Sequence, residues 1–499
     1  MKTWRERVPP LREERHYGRP PVRCFAERPA TLVQMLQEAL ARNPRGEALV
    51  CGETRLTWEA LGRRIAQAAG AFAARGVGPG DRVALLVGNR PEFAIAFLGA
   101  SWLGAIAVPV SIREQKPGLE YILSHCSAKV VVHEPDLEER LPEPVRRMLP
   151  SDLPGEETPP GKSAEEDTVA ILYTSGTTGR PKGAMLTNLG IVHSSMVFEA
   201  CMGLDASTRA MAAVPLSHVT GVIALMATVV RCAGTLLILP AFKAKDFLDL
   251  AERERMTYTL IVPAMYNLCL LEPDFAGRDL SAWRVGGYGG APMPAATIAA
   301  LAEKLPRLAL MNAYGATETT SPATLMPPDL QAAHRDSVGL AAPGAEIRVV
   351  DDELWIRGPM VVKGYWENPE ATAREFTDGF WRSGDIGSVD AEGFVRVLDR
   401  RKDMINRGGH KVFTAEVESA LAEHPAVVES AVLGYPCPVL GERVQAVVVL
   451  REQASSEALR AFCAARLADY KVPERFVVRD APLPRNANGK VLKRDLRGA

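Results

Sequence analysis

One stretch of the sequence combines the residue types that bind anions: Tyr-Thr-Ser-Gly-Thr-Thr-Gly-Arg-Pro-Lys-Gly, residues 173–183. Its glycines let backbone N–H groups approach a phosphate closely, its hydroxyls donate further hydrogen bonds, and Lys182 adds a positive charge. A cluster of Gly, Ser and Thr is also typical of an ordinary surface turn. The loop directly follows the apolar residues Val169–Leu172. This position favours a ligand loop, because open α/β sheets bind ligands at strand ends.

The loop does not have the Walker A pattern, in which Gly-x-x-x-x-Gly is followed at once by Lys and then Ser or Thr. Here Pro181 precedes Lys182 and Gly183 follows it. We therefore expect a phosphate-binding loop in a protein that is not a P-loop NTPase.

Further segments with polar or side-chain-poor patterns follow along the chain: 215–221 (PLSHVTG), 286–292 (GGYGGAP), 312–319 (NAYGATET), 381–387 (WRSGDIG), 399–403 (DRRKD), 408–418 (GGHKVFTAEVE) and 484–494 (PRNANGKVLKR). Most have an unremarkable alternative reading. His218 could be a satisfied core histidine, 399–403 a solvated turn, and Lys490 an idle surface lysine. Glu318 is different, because a buried carboxylate without a cation is costly and carboxylate oxygens suit Mg²⁺.

Taken in order and spacing, these motifs closely resemble those of the adenylate-forming (AMP-binding) enzyme superfamily, in its acyl-CoA synthetase or fatty-acid–CoA ligase branch. The resemblance covers nearly the whole chain from about residue 30. It implies ATP, a carboxylic acid and coenzyme A as substrates, with Mg²⁺ as the metal. The implied reaction forms an acyl adenylate and pyrophosphate, and then a thioester and AMP.

The resemblance also implies roles for individual residues. Tyr314 would stack on adenine, Thr317 would bond the α-phosphate, and Asp385 and Arg400 would bind the ribose. The full implied ATP/AMP-binding set is Thr174, Ser175, Gly176, Thr177, Thr178, Gly179, Lys182, Gly289, Gly290, Ala291, Asn312, Ala313, Tyr314, Gly315, Asp385 and Arg400.

The implied catalytic residues are Lys490, Thr317, Glu318 and His218, with Glu318 also the metal ligand. The implied hinge and CoA-tunnel residues are Lys402, Gly408 and Gly409, and the implied acyl-pocket residues are Val219, Thr220 and Gly287. Two departures from the family pattern stand out. Thr414 replaces a common Pro and could act as a helix N-cap, and residues 349–358 lack part of the usual hairpin, which predicts a shortened surface loop.

The elements that must position these residues alternate between strand and helix patterns over 31–135, and again from Thr168 to about residue 325. Such alternation indicates a mostly parallel sheet with helices on its faces. Residues 134–167, rich in Glu, Pro, Asp and Gly, predict an exposed connector with a short helix around Leu141–Met148.

Antiparallel strand patterns follow, and a smaller α+β pattern covers the last hundred residues or so. The prediction is an α/β protein with a large N-terminal domain, residues 1–398, and a C-terminal domain, residues 399–499. The resemblance adds a distorted β-barrel to the first domain and mobility to the second.

The bulk composition argues against other classes. In 499 residues, 59 basic and 60 acidic side chains leave a formal charge of -1, which gives no support to a nucleic-acid or membrane-surface role. No apolar run has the length of a transmembrane segment. The eight cysteines contain no Cys-x-x-Cys pair and indicate reduced, mostly buried thiols. We expect a cytoplasmic monomer or homodimer with small-molecule partners only.

The leading hypothesis is an acyl-CoA synthetase. Small or apolar residues in 219–226, 262–268 and 321–325 favour a medium-size aliphatic or aromatic monocarboxylic acid. One alternative is a stand-alone adenylating enzyme that loads a carrier-protein phosphopantetheine, although the sequence contains no carrier domain. The other is a catalytically dead nucleotide or acyl sensor, which would be expected to have lost Lys490, Glu318 or Asp385.

Overall fold

The computed structural model describes residues 4, 7–174, 180–485 and 491–497. Two predicted site segments, Ser175–Gly179 and the segment with Lys490, lie outside the described residues. In chain order the strands are β1 (Leu11–Glu14), β2 (Val22–Phe25), β3 (Glu47–Cys51), β4 (Thr54–Thr57), β5 (Arg82–Leu86), β6 (Ile106–Pro109), β7 (Ala128–His133), β8 (Arg147–Met148), β9 (Thr168–Thr174), β10 (Lys182–Thr187), β11 (Arg209–Ala212), β12 (Thr235–Ile238), β13 (Tyr258–Ile261), β14 (Val285–Tyr288), β15 (Ala309–Tyr314), β16 (Thr324–Leu325), β17 (Gly339–Ala341), β18 (Glu346–Val350), β19 (Glu353–Arg357), β20 (Phe376–Thr377), β21 (Phe380–Val389), β22 (Phe394–Arg400), β23 (Ile405–Arg407), β24 (His410–Val412), β25 (Val427–Cys437), β26 (Gly441–Leu450) and β27 (Arg475–Arg479).

The α-helices are α1 (Leu32–Arg42), α2 (Trp58–Ala74), α3 (Pro91–Leu103), α4 (Lys116–His125), α5 (Asn188–Met202), α6 (Thr228–Cys232), α7 (Ala244–Arg253), α8 (Pro263–Leu270), α9 (Ala295–Lys304), α10 (Pro369–Glu375), α11 (Thr414–Ala422) and α12 (Ser456–Ala464). A π-helix, Thr220–Ala227, precedes α6 directly. Short 3₁₀ helices occupy Pro135–Arg140, Pro150–Asp152, Phe275–Gly277, Thr317–Thr319, Asp469–Lys471 and Lys493–Leu496.

Helix ends follow the local sequence. Helix α3 begins with Pro91, whose missing N–H costs nothing at a first helical position, and it ends at Gly104 in the left-handed region. Helix α5 begins after Thr187, whose hydroxyl accepts a hydrogen bond from the Gly190 N–H. Pro91 and Gly104 thus mark the two ends of α3.

Two large sheets share one apolar core. The first has the order β10-β9-β6-β5-β7-β8, with β5, β6, β7, β8 and β9 running parallel where they pair and β10 antiparallel to β9. The second runs β18-β19-β21-β22-β17-β16-β15-β14-β13-β11-β12-β3-β4, with β20 beside β21. Neighbouring strands in the run β15-β14-β13-β11-β12-β3 are parallel. The other pairings in this sheet, from β18 to the β16–β15 pair and between β3 and β4, are antiparallel. The expected parallel-rich α/β architecture is confirmed.

The strands after Arg400 form a separate sheet, β24-β23-β26-β25, with β27 parallel to β26. Helices α11 and α12 pack beside it, around a core that includes Val417, Val432 and Leu459. This is the expected α+β region, with its own apolar core. The boundary between residues 398 and 399 stays a prediction.

The connector prediction is wrong about its helix. Residues Leu141–Met148 do not form a helix, because Pro142 and Pro144 interrupt any helical hydrogen bonding and Arg147–Met148 pairs with β7 as strand β8. The segment is mostly exposed or half-buried, as predicted, although parts of it pack against the helices. Leu153 is buried, and Gly155 and Gly161 lie so close to α2 and to the end of α3 that an added Cβ would lie less than 3 Å from their backbone atoms.

The shortened hairpin is confirmed as a two-residue turn. Val350 pairs with Glu353, and the connecting residues Asp351 and Asp352 have φ angles of 50° and 65°. Positive φ at both central positions matches the right-handed twist of the strands, and Asp tolerates it better than most residues. Within the described part of the chain, no helix is both long enough and apolar enough to cross a bilayer.

Candidate functional site

The predicted motifs converge at the carboxyl ends of the parallel strands in the second sheet. Residues 289–291 follow β14, Gly315 follows β15, and the segment with His218 lies beyond β11. The neighbouring strands β13, β14 and β15 are parallel and in contact, so their carboxyl ends share one edge. Open α/β sheets bind ligands at this edge. The exposed Gly290, Ala291 and Gly315 leave it open to solvent.

Strands β9 and β10, which flank the phosphate loop, pair as an antiparallel hairpin. Thr174 and Lys182 are direct partners in the register, so the two ends of the loop lie opposite each other. Beneath the hairpin, Tyr121 donates a hydrogen bond to the carbonyl oxygen of Pro181, and the Arg180 guanidinium lies 5.8 Å from the centre of the Tyr121 ring. The loop ends are therefore fixed by the first sheet and by helix α4.

Glu318 lies on the 3₁₀ turn after β15 and is 7% exposed. Its Oε1 accepts hydrogen bonds from the Thr174 hydroxyl at 3.2 Å and from the Tyr365 hydroxyl at 3.0 Å. Among the described residues it has no ion pair, so its partners there are neutral hydroxyls. A buried carboxylate without a paired cation is costly. The donor set, one hard oxygen anion flanked by hydroxyls, fits Mg²⁺.

Lys182 is buried, and its ammonium is held by two side chains that follow it by about 180 residues. It forms an ion pair with Glu375, at the end of α10, and donates a hydrogen bond to the Tyr365 hydroxyl at 3.3 Å. Its Nζ also lies 4.3 Å from the centre of the Tyr365 ring. The Tyr365 hydroxyl is 2.7 Å from Glu375. Burial acts to raise the pKa of Glu375, but hydrogen bonds from Lys182 and Tyr365 lower it overall.

A second cluster combines Tyr314, Asp385 and Arg400. Asp385 and Arg400 are paired in register on β21 and β22, and Tyr314 ends β15. The Tyr314 hydroxyl donates to Asp385 at 2.6 Å, and Arg400 Nε lies 2.7 Å from the other Asp385 oxygen. Burial raises the pKa of Tyr314, so its hydroxyl stays a proton donor. The structure thus brings together three residues that the resemblance places around adenine and ribose.

The remaining nucleotide residues lie on the same edge. Asn312 and Ala313 directly precede Tyr314 on β15, and Gly289 follows β14. An added Cβ at Gly289 would lie 2.3 Å from the carbonyl oxygen of Ala313, so only glycine fits there. Thr317 begins the 3₁₀ turn that carries Glu318.

Of the predicted acyl residues, Gly287 lies on β14, and the π-helix that begins at Thr220 packs on one side of the same parallel sheet. Tyr258 lies on this side and its hydroxyl donates to the Ala224 carbonyl oxygen of the π-helix. Two residues further along β13, Leu260 leans over its register partner Gly287, where an added Cβ would lie 2.9 Å from Leu260 Cγ. Val219 and Thr220 lead into the π-helix. π-Helical segments are rare and occur frequently at functional sites.

His218 lies just before these residues, half-buried, with Nδ1 3.2 Å from the Thr220 hydroxyl. Burial lowers the pKa of His218. The imidazole is therefore neutral near pH 7 and can accept a proton or a hydrogen bond.

The predicted site residues of the C-terminal region lie on turns after β22 and not on the edge of the parallel sheet. Lys402 is exposed, just after β22. Gly408 and Gly409 form the exposed two-residue turn between β23 and β24, with φ angles of 59° and 90° that favour glycine. Lys490 lies outside the described residues, between Arg485 and Val491, which form an isolated β-bridge.

Thr414 is not the N-cap that the sequence suggests. It is the first residue of α11, and the N-cap position is Phe413, which provides no side-chain cap. The cap comes from Asp399 on β22, whose buried carboxylate accepts from the Thr414 N–H and, at 2.8 Å, from its hydroxyl. Residues distant in sequence therefore replace the expected local cap.

Sequence reasoning missed Tyr365, Glu375 and Asp399 as parts of these clusters. Tyr365 sits in an apolar stretch and resembles an ordinary core aromatic residue. Glu375 is one of several charged residues in the sequence around α10, so its neighbours in the sequence do not distinguish it from a surface glutamate. Only the fold reveals that both contact Lys182.

One other cluster among the described residues has metal-ligand types: Glu14, His16 and Cys24, near the N-terminal hairpin. Arg28 donates to both Glu14 oxygens, and burial raises the pKa of the Cys24 thiol to about 12. These observations indicate an ion-pair network rather than a metal site.

Comparison with known proteins gives consistent matches. Residues 36–366 match the family described as AMP-binding enzyme, and residues 416–490 match its C-terminal domain. A feruloyl-CoA synthase of Amycolatopsis is 35% identical over 475 residues, covering 91% of this chain and 96% of the relative. The long-chain-fatty-acid–CoA ligase FadD13 of Mycobacterium tuberculosis is 33% identical over 492 residues, covering 93% and 97%.

A solved structure shares the whole architecture. The o-succinylbenzoate CoA synthetase of Bacillus subtilis, in complex with its acyl-adenylate intermediate, superposes with a TM-score of 0.88 at 29% identity, covering 95% of this chain and 99% of that one.

Proposed function

This chain belongs to the AMP-binding enzyme family, and from that premise we propose that it is an AMP-forming acid–CoA ligase acting on a medium-size monocarboxylic acid. The observation that carries the proposal is the convergence, where the two large sheets meet, of a phosphate loop, a buried carboxylate without a described cation, and a Tyr–Asp–Arg cluster suited to adenosine. A dead sensor would not need to retain these groups together with Lys490.

In the first step, an oxygen of the substrate carboxylate attacks the α-phosphorus of ATP. The bond between the α-phosphorus and the bridging oxygen breaks, and pyrophosphate leaves. Both reactants are anionic, so the protein must mainly neutralise charge and align the groups in line. Mg²⁺ bound at Glu318 would supply charge neutralisation on the phosphates.

The protein's own residues divide this task. Thr174 and Lys182 hold the β- and γ-phosphates from the two ends of the loop, as their opposed positions in the hairpin allow. Thr317 bonds the α-phosphate, and Lys490 bridges that phosphate and the acid. Asp385 and Arg400 fix the ribose, while Tyr314 and the side-chain-poor residues 289–291 and 312–315 enclose adenine.

In the second step, the CoA thiol sulfur attacks the acyl carbon, and AMP leaves with the electrons of its bond to that carbon. His218 stands, as a neutral imidazole, beside the predicted acyl pocket, where it can accept a hydrogen bond from the thiol. Lys490 must make way for the thiol. We propose that the region after Lys402 turns about this residue and brings Gly408 and Gly409 to the site.

The substrate class is supported by the lining of the predicted acyl side. Leu260, Gly287 and the π-helix Thr220–Ala227 present apolar or small groups, and the π-helix contains no charged residue. A dicarboxylate would need a basic partner for its second anion. An aliphatic or aromatic monocarboxylate needs none.

The test is a panel of carboxylic acids scored for AMP and pyrophosphate release, with and without CoA. The proposal expects pyrophosphate exchange without CoA and AMP release that depends on CoA. An enzyme that loads a carrier-protein phosphopantetheine would instead release AMP only with a carrier protein. Absence of ATP–pyrophosphate exchange with every acid would contradict the proposal.

We also propose that the protein works in the cytoplasm as a monomer or homodimer. The cysteines support a reducing compartment, since all eight are free and seven of them are buried. Sedimentation of the purified protein measures the oligomeric state.

A further inference from the structure

The cluster around Lys182 contains two residues that the mechanism above does not use. Tyr365 is 2% exposed, and Glu375 lies at the end of α10 with its carboxylate turned toward Lys182. We propose that Glu375 and Tyr365 are positioning residues that set the Lys182 ammonium for the pyrophosphate end of ATP. The inference rests on the proposed function, because it deepens the role of the same site.

The Lys182 ammonium is buried and needs partners. Lys182 is 8% exposed, and a buried ammonium is stable only when it is paired and hydrogen-bonded. Glu375 supplies the opposite charge, and the Tyr365 hydroxyl accepts a second hydrogen bond. An ammonium has three donors, and these two bonds leave one for a ligand oxygen. The pair therefore fixes the position of the ammonium without using its whole bonding capacity.

The Tyr365 hydroxyl lies between two carboxylates. A phenol has one proton, yet the hydroxyl oxygen lies within hydrogen-bond distance of two carboxylates, 2.7 Å from Glu375 and 3.0 Å from Glu318. It can donate to one of them at a time. The Tyr365 oxygen thus links the Lys182–Glu375 pair to Glu318, the carboxylate expected to hold the metal. A displacement of the pair should therefore change the position of Glu318, and the reverse.

The contacts of Glu375 separate it from the adenosine and acyl parts of the predicted site. Glu375 contacts Lys182 and Tyr365, and on its other oxygen the exposed Arg374. None of these contacts belongs to the predicted adenosine or acyl residues. Loss of Glu375 should therefore weaken binding at the phosphate end alone.

The experiment measures binding of inorganic pyrophosphate, in the presence of Mg²⁺, by calorimetry, together with KM for ATP and for the acid. We expect E375Q to weaken pyrophosphate binding about tenfold, the scale of a charge-assisted hydrogen bond. KM for ATP should rise in parallel, while KM for the acid stays unchanged. Y365F should have a smaller effect of the same kind, because it keeps the ring and the Lys182–Glu375 pair.

Glu370→Gln is the matched control, since Glu370 is an exposed glutamate on the same helix. It should change neither pyrophosphate binding nor KM for ATP. Circular dichroism and thermal unfolding establish that each variant is folded.

A double-mutant cycle with K182A gives the decisive comparison. If Glu375 acts through Lys182, E375Q should weaken pyrophosphate binding by less than about twofold once Lys182 is Ala. A full tenfold effect in the K182A background, or no effect of E375Q in the native background, would overturn the inference. Failure of the unsubstituted protein to bind pyrophosphate and to catalyse exchange would instead contradict the proposed function.

Discussion

The buried carboxylates at the two ends of the predicted nucleotide site differ in their charge partners. At the adenosine end, Asp385 is 4% exposed in its side chain, forms an ion pair with Arg400 and accepts a hydrogen bond from Tyr314. At the phosphate end, Glu375 is paired with Lys182, but the more deeply buried Glu318 has only hydroxyl partners among the described residues. At the adenosine end, the charge of Asp385 is therefore balanced by Arg400 without a ligand. The phosphate end carries an acid still to be neutralised.

The difference matches what each end has to bind. Ribose hydroxyls and adenine are neutral, so a preformed and charge-balanced cluster can receive them without rearrangement. Triphosphate is strongly anionic and needs a cation, and an unpaired carboxylate is the group that recruits one. The contrast predicts that the two ends can be damaged independently.

The largest effect is expected where the two ends meet the acid. Lys490→Ala should slow adenylation by about 10²–10³-fold, because a charge that stabilises the transition state is lost. Thioester formation from supplied acyl adenylate should be spared. Stopped-flow or quench measurement of each half-reaction checks this. Equal loss in both half-reactions would contradict the assigned role.

At the phosphate end, Glu318→Gln should lower ATP–pyrophosphate exchange by about 100-fold at low Mg²⁺, with partial recovery as Mg²⁺ rises. The amide keeps an oxygen that can accept from Thr174 and Tyr365, so the packing is retained and the negative charge alone is removed. AMP binding, measured by calorimetry, serves as the control and should stay within about twofold. A Mg²⁺ dependence identical to that of the native enzyme would remove Glu318 from the metal site.

At the adenosine end, Asp385→Asn should produce the opposite pattern. AMP binding should weaken by about tenfold or more, since charge-assisted hydrogen bonds contribute about 1.5–3 kcal/mol. Pyrophosphate binding should remain unchanged. If this variant and Glu318→Gln both weakened both ligands, the two ends would be one coupled unit and the contrast between them would be wrong.

The smallest effect on the first step is expected at the hinge. Lys402→Pro fixes φ at the residue proposed as the pivot between the half-reactions, so thioester formation should slow while adenylation stays within about twofold. Single-turnover measurement of both steps checks this. Thioester formation at the native rate would show that the pivot lies elsewhere.

Much of the fold follows from sequence where local signals are strong. Pro91 and Gly104 delimit α3, and the apolar residues Val169–Leu172 predict the strand that precedes the phosphate loop, whereas its antiparallel pairing with β10 is known only from the structure. The Leu141–Met148 helix was wrong because Pro142 and Pro144 outweigh the apolar spacing. The site was predictable where motifs are contiguous, as with 312–319. Tyr365 and Glu375 were not, because their contacts with Lys182 bridge more than 180 residues and depend on how two sheets meet.

The cap that Asp399 provides for helix α11 has a consequence for timing. Asp399 pairs with Ile386 in the large sheet, whereas Thr414 belongs to the C-terminal region, so the two bonds to this buried carboxylate span the proposed pivot. A turn about Lys402 that separates the two would leave an anion and a helix start without their partners. A turn about Lys402 would therefore have to break both bonds first, and the interval between making the adenylate and consuming it would depend on how often they open.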